Sequence, residues 1–178
     1  TWFGNGVALY GQSGGFSWKA VIHEGLNGDG IASMWSQGIR GGRQKGYKSN
    51  AKELLYNGRI AYTGVPGLRV GGSYSTTKAL RSEEGAKPIG VSLMETHVKY
   101  DANGIMAVAE WGNISFTDHS VKSSTGYYVD LGYDIGRMLN LKGKLYSWIR
   151  MTDINPGVGH DSEEGMHYSK IMFGLTYK

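Results

Sequence analysis

Histidines and carboxylates are the first places to look for chemistry in this 178-residue chain. Glu95 and His97 are two residues apart, so on a strand they share a face and could offer a metal two ligands. His160, Asp161, Glu163, Glu164 and His167 form a second, loop-like acidic and histidine run. A catalytic zinc site needs three well-spaced protein ligands and an open position, and nothing fixes a third ligand for either group. Asp161, Glu163 and Glu164 also lack the spacing of a calcium loop. Asp118-His119-Ser120 is the compact candidate for nucleophilic catalysis, as in a barrel phospholipase or protease. Adjacent residues do not easily relay protons to one another, because triads are assembled from separate segments. Gly41-Gly42 and Gly71-Gly72 are followed by no G-K-[ST], and they read as turn and strand-bend glycines rather than a phosphate cradle. The expectation is a non-enzyme with no metal and no cofactor.

The basic residues suggest a different chemistry, the attraction of ions without bond making. Lys19, Arg59, Arg69, Lys99, Lys144, Arg150 and Lys170 fall on the polar positions of alternating segments. Arg40, Arg43 and Lys45 sit together in a long intervening stretch. A ring or ladder of cations in a narrow pore lowers the barrier for anions and raises it for cations. If the long stretch folds inward, its three basic residues form part of a constriction. The competing reading pairs these cations with Glu95, Glu110, Asp130 and Asp134 on neighbouring strands, which leaves a weakly selective pore. Net charge +4 points to small anionic partners more than to nucleic acid, since no dense Lys/Arg run with interleaved aromatics occurs.

Strands must position such residues. The segment 124–135 places Tyr127, Val129, Leu131, Tyr133 and Ile135 on one face and Ser124, Tyr128, Asp130 and Asp134 on the other. Strands are predicted at 6–12, 16–25, 56–64, 67–77, 91–101, 104–116, 124–135, 143–154 and 167–178, with a short helical turn at 51–55. Most repeat the two-faced pattern: Phe16, Trp18 and Ile22 against Ser17, Lys19 and His23; Ile171, Phe173, Leu175 and Tyr177 against Lys170, Thr176 and Lys178. Strand 104–116 alternates less cleanly, with Glu110 the inward candidate. Full charges at mid-strand are costly in a dry core but are accommodated by a water-filled lumen. A soluble barrel with its charged face outward shows the same alternation.

The connections separate the two. Tight turns at 12–15, 64–67 and 101–104 alternate with longer polar links at 26–55, 78–90, 117–123 and 155–166, and a somewhat longer turn at 136–142 completes the series. Short turns on one side and long loops on the other are expected of an up-and-down transmembrane β-barrel. Mean hydropathy of -0.34 and the lack of any run of about 20 apolar residues exclude a helical membrane protein. Zero cysteines fit an outer-membrane location without requiring it. The opening T-W-F-G carries no signal-peptide pattern and reads as a processed chain or a piece of one.

The run I-R-G-G-R-Q-K-G (39–46), followed by A-K-E-L-L-Y-N-G-R-I-A-Y-T-G-V-P-G-L-R-V-G-G-S (51–73), resembles bacterial outer-membrane porins of the phosphate- and pyrophosphate-selective type. So do A-E-W-G (109–112), G-Y-Y-V-D-L-G-Y (126–133), L-Y-S-W-I-R-M-T-D (145–153) and the ending 166–178. The resemblance implies a homotrimer of barrels with about sixteen strands each, embedded in outer-membrane lipid. About nine strands are read here, an odd number, and the ending at Lys178 lacks the terminal aromatic residue of that group. The whole chain, 1–178, is therefore read as an all-β, antiparallel barrel domain, part of a larger porin, with 26–55 as its long outer or constriction loop. The expected function is passive diffusion of small hydrophilic solutes, favouring anions such as phosphate. The alternatives are a structural or adhesive outer-membrane barrel with partner-binding loops, and a barrel enzyme.

Overall fold

A computed structural model describes residues 4–33, 35–47, 49, 52–136, 138–158 and 167–177. Among them the chain forms a single nine-stranded antiparallel sheet in which every strand pairs with its sequence neighbour. The strands are β1 (Gly6–Ser13), β2 (Phe16–Glu24), β3 (Leu54–Tyr62), β4 (Leu68–Ala79), β5 (Ile89–Ala102), β6 (Ile105–Thr117), β7 (Ser123–Asp134), β8 (Leu145–Val158) and β9 (Tyr168–Tyr177). The sheet is open, with β1 and β9 at its two edges. No described helix is long and apolar enough to cross a membrane, which leaves strands unaddressed.

Turn chemistry fixes the register. Asn103 (φ 55°) and Gly104 (φ 81°) both occupy the left-handed region, the requirement of the two-residue hairpin turn whose twist matches its strands. At the β3–β4 turn Pro66 presets one central position and Gly67 (φ 78°) takes the other, while the Leu68 N–H donates to the Val65 carbonyl at 3.0 Å. That is the pattern of a type II turn. The expected beat of short and long links breaks once. Link 118–122 is shorter than link 135–144, which is ordered by Asp134: its Oδ1 accepts N–H bonds from Gly136 and Leu145, each at 3.0 Å.

Most strand ends shift by one or two residues from the sequence reading, and three differences bear on the site. Of the helical turn expected at 51–55, Ala51 lies outside the described residues, 52–53 are not helical, and extension begins at Leu54. β8 starts at Leu145 and runs on to Val158, so Lys144, which is exposed, lies in the link just before the strand. The long 25–53 link carries a short helix, α1 (Gly28–Ser33), and a 3-10 segment, η1 (Trp35–Gly42).

In-register pairing merges the alternating segments into two continuous faces. One is apolar and exposed: Trp18, Ile60, Val70, Val98, Leu131 and Ile149 are among its members, each at least 39% exposed. Aromatics border it in two lines. Toward the short-turn end stand Tyr62 (β3), Tyr100 (β5), Tyr133 (β7) and Tyr177 (β9), with Phe16 packed 4.7 Å from the Tyr62 ring. Toward the other end stand Tyr56, Tyr74, Trp111 and Tyr127. On β3 and again on β7 the two lines are separated by the same six residues, about 20 Å along a strand.

The opposite face is polar at its centre and apolar toward the long-link end. There Ala79, Ile89, Val91, Phe116 and Val121 are buried beneath Leu26 and Ile31 of the 25–53 link. This is the main apolar core of the described chain, and it docks the long link onto the same face that carries the charges. The docked segment is tied at both sides. Ser82 donates through its N–H (2.9 Å) and hydroxyl (2.5 Å) to the Asp29 carboxylate of α1. Glu24, 6% exposed, accepts the Gly46 N–H at 2.8 Å, and the Gln44 side-chain amide donates to the Gly25 carbonyl at 3.0 Å.

Candidate functional site

The polar face divides into a basic half and a mixed half. In the basic half Lys19 of β2 is in register with Arg59 of β3, and Arg69 of β4 with Lys99 of β5. All four side chains are exposed. Lys19, Arg59 and Arg69 line one open cavity of 610 Å³ with Tyr10, Gln12 and Ser17, and none of its described lining residues carries a carboxylate. β2 and β3 supply two like charges side by side because both strands alternate in phase across the ladder. Hydroxyls and amides complete the wall.

The mixed half uses its charges on one another. Arg150 of β8 is opposite Asp130 of β7 and makes a forked pair, Nε to Oδ1 at 2.5 Å and Nη2 to Oδ2 at 2.6 Å. Its guanidinium also lies 4.7 Å from the centre of the Tyr128 ring. The Tyr128 hydroxyl donates to Glu110 Oε2 at 2.9 Å. Glu95 holds His97 Nδ1 at 2.5 Å through Oε1 and accepts the Ser73 hydroxyl at 3.1 Å through Oε2. Planar forked pairs are the strong, geometrically fixed form of ion pair. At Arg150 the competing reading, in which the cation is paired with a neighbouring carboxylate, describes the geometry. Lys170, opposite Thr152 on β9, is exposed on the same face.

The loop cations stand apart from this. Arg43 Nε donates to the Arg40 carbonyl at 3.2 Å, and Lys45 takes a left-handed backbone (φ 56°) at the turn before Gly46. The link does dock on the polar face, but Arg40, Arg43 and Lys45 are absent from the described lining of the basic cavity. Apolar Leu26 and Ile31 pack the link onto the sheet.

The catalytic and metal candidates are placed as follows. His119 Nδ1 accepts the Val121 N–H at 3.1 Å, its ring packs 5.1 Å from Phe116, and Asp118 lies 3.9 Å from Lys87. Among the described residues no three His, Cys, Asp or Glu side chains form a metal-holding group. His160, Asp161, Glu163 and Glu164 lie outside the described residues, while His167 contacts Asp153 at 3.0 Å.

No family model matches the chain. An uncharacterized protein of Aquifex aeolicus (strain VF5) is 23% identical over 201 residues; the match takes in all of this chain but only 46% of that relative.

Proposed function

We propose that the chain is part of an outer-membrane β-barrel that works as a passive aqueous channel for small hydrophilic solutes, with a preference for anions such as phosphate. The observation that carries this reading is the opposition of two faces. A broad exposed apolar face bordered by two aromatic lines is the surface a lipid-facing sheet presents, whereas large exposed apolar patches are rare on soluble monomers. The other face, with its exposed Lys19, Arg59, Arg69 and Lys99, suits a wet lumen, where charged side chains keep their hydration. The 25–53 link, docked over one end of that face, narrows the path.

An open sheet with two edges needs further strands before it encloses a pore, because unpaired backbone groups are not tolerated in hydrocarbon. In this reading the parent protein supplies them, and the assembled barrel is a homotrimer in outer-membrane lipid. Passive transport needs only a pore that holds its solute weakly enough to release it, with no cofactor or bond chemistry.

The test is planar-bilayer conductance of the natively purified parent protein under a salt gradient, with phosphate then added. The expected result is stepwise current, a reversal potential of anion sign and block by phosphate. Steps without selectivity would remove the anion preference and keep the channel. A folded protein that gives no steps at all would overturn the reading in favour of a structural or soluble sheet.

A further inference from the structure

Apart from the basic cavity, the polar face contains a pit made by two glycines. Gly112 of β6 and Gly126 of β7 are in-register partners, so two adjacent strands lack side chains at the same level. A Cβ built on Gly112 would meet only the Met94 carbonyl oxygen, in ordinary contact at 3.8 Å, whereas one on Gly126 would press on the Asp153 carbonyl oxygen at 3.1 Å and Ile154 at 3.2 Å, so Gly112 forms the open part of the floor. The cavity above has a volume of 470 Å³, within the range of small-molecule sites.

Its walls are of two kinds. Leu93, Ile114, Ile154 and Pro156 form an apolar side. Glu95, Glu110, Tyr128 and Thr152 form a polar side, and no Lys or Arg is among the described lining residues. An ionised carboxylate only accepts hydrogen bonds. Glu110 gives one oxygen to the Tyr128 hydroxyl, and its Oε1 has no protein donor among the described residues. The ligand must therefore bring donors to one edge and a hydrocarbon face to the other.

A small organic cation would also bring donors. However, the acids already have partners: the His97 ring and the Ser73 hydroxyl on Glu95, and on Glu110 the hydroxyl of Tyr128, whose ring stacks with Arg150. A second full charge would lose part of its hydration against the apolar side of the cavity. We propose that the pit over Gly112 and Gly126 is a binding site for an uncharged polyhydroxylated ring of monosaccharide size. The ring's C–H face lies on Ile114 and Ile154, and its hydroxyls donate to Glu95 and Glu110.

Equilibrium dialysis of radiolabelled glucose against the detergent-purified parent protein tests this. Dialysis needs no conducting pore, so its failure is separable from failure of the channel reading. Saturable binding is expected. Gly112→Leu, which fills the pit from its floor, is expected to weaken it about tenfold or more, and Glu110→Gln, which spares the floor, roughly tenfold. Three results would overturn the site: no saturable glucose binding, binding undiminished in both variants, or displacement of glucose by choline.

Discussion

Arg69 stands directly opposite Lys99 across the β4–β5 ladder, as Lys19 stands opposite Arg59 across β2–β3. Like charges directly opposite are unfavourable in a sheet, and the cavity lined by Lys19, Arg59 and Arg69 has no carboxylate among its described lining residues. A structural role gives no reason to keep two such pairs; an ion path does. Arg69→Glu should turn the second pair into a salt bridge and lower the anion-to-cation permeability ratio by about twofold or more. The zero-current potential under a salt gradient reads this directly. A ratio unchanged by Arg69→Glu and Arg59→Glu together would show that these cations do not act on the permeating ions.

Leu131 and Tyr133 test where the apolar face sits. Leu131 is in the middle of that face and 54% exposed; Tyr133 belongs to its aromatic border. If the face meets lipid, Leu131→Arg should cost about 2–4 kcal/mol and Tyr133→Arg about 0–1 kcal/mol, the depth dependence of a bilayer. In water an arginine at an exposed position costs almost nothing, and the two variants would be alike. Reversible urea unfolding in lipid vesicles distinguishes the cases.

Ile31 is 1% exposed and holds the long link against Ile89, Val91 and Phe116. Ile31→Ala should weaken that docking by about 2 kcal/mol or more. Single-channel recordings should then show a larger and noisier open level, with the sheet's far-ultraviolet dichroism unchanged. An identical current would mean that the link does not limit the path.

The Asp29–Ser82 clasp predicts an acid limit to the same docking. The Ser82 hydroxyl and then its backbone N–H hold the Asp29 carboxyl below its ordinary value of 3.8. A group whose folded pKa is lowered stabilises fully above its unfolded pKa and loses that contribution as pH falls through the folded one. Protease cleavage within 25–53 should therefore rise only below about pH 3.8 in the wild type. Asp29→Asn should make it high and independent of pH across that range.

The faces and most turns were legible in the sequence because strand period is fixed at two and because Asn103-Gly104 and Pro66-Gly67 admit few backbone forms. Side-chain parity alone put Glu110, Asp130 and Lys170 on the polar face. Pairing of the cations with Asp130 and the other carboxylates was an open alternative in the sequence, but that Arg150 takes Asp130 was not legible, since it depends on the register across the 135–144 link, which no local signal sets. The docking of the long link was hidden for a similar reason. Two apolar residues, Leu26 and Ile31, carry it, and they are too few to form a period against Gly-rich surroundings. Lys144 shows the cost of a boundary error of two residues: a side chain assigned to a face belongs to the link before it.

The aromatic line at the short-turn end also records an angle. Tyr62 is in register, through Val70, with Val98, yet the next tyrosine is Tyr100, two residues farther on. The step repeats from Tyr100 through Leu131 to Tyr133, and from Tyr133 through Leu175 to Tyr177. Two residues for every two strands is one residue per strand, a climb of about 3.4 Å for each 4.8 Å crossed. If those tyrosines mark one water line, the strands lean about 35° from its perpendicular, at the lower end of the tilt that closed barrels adopt. The sheet thus carries a horizon in its own side chains, and with it the slope at which any added strand must join.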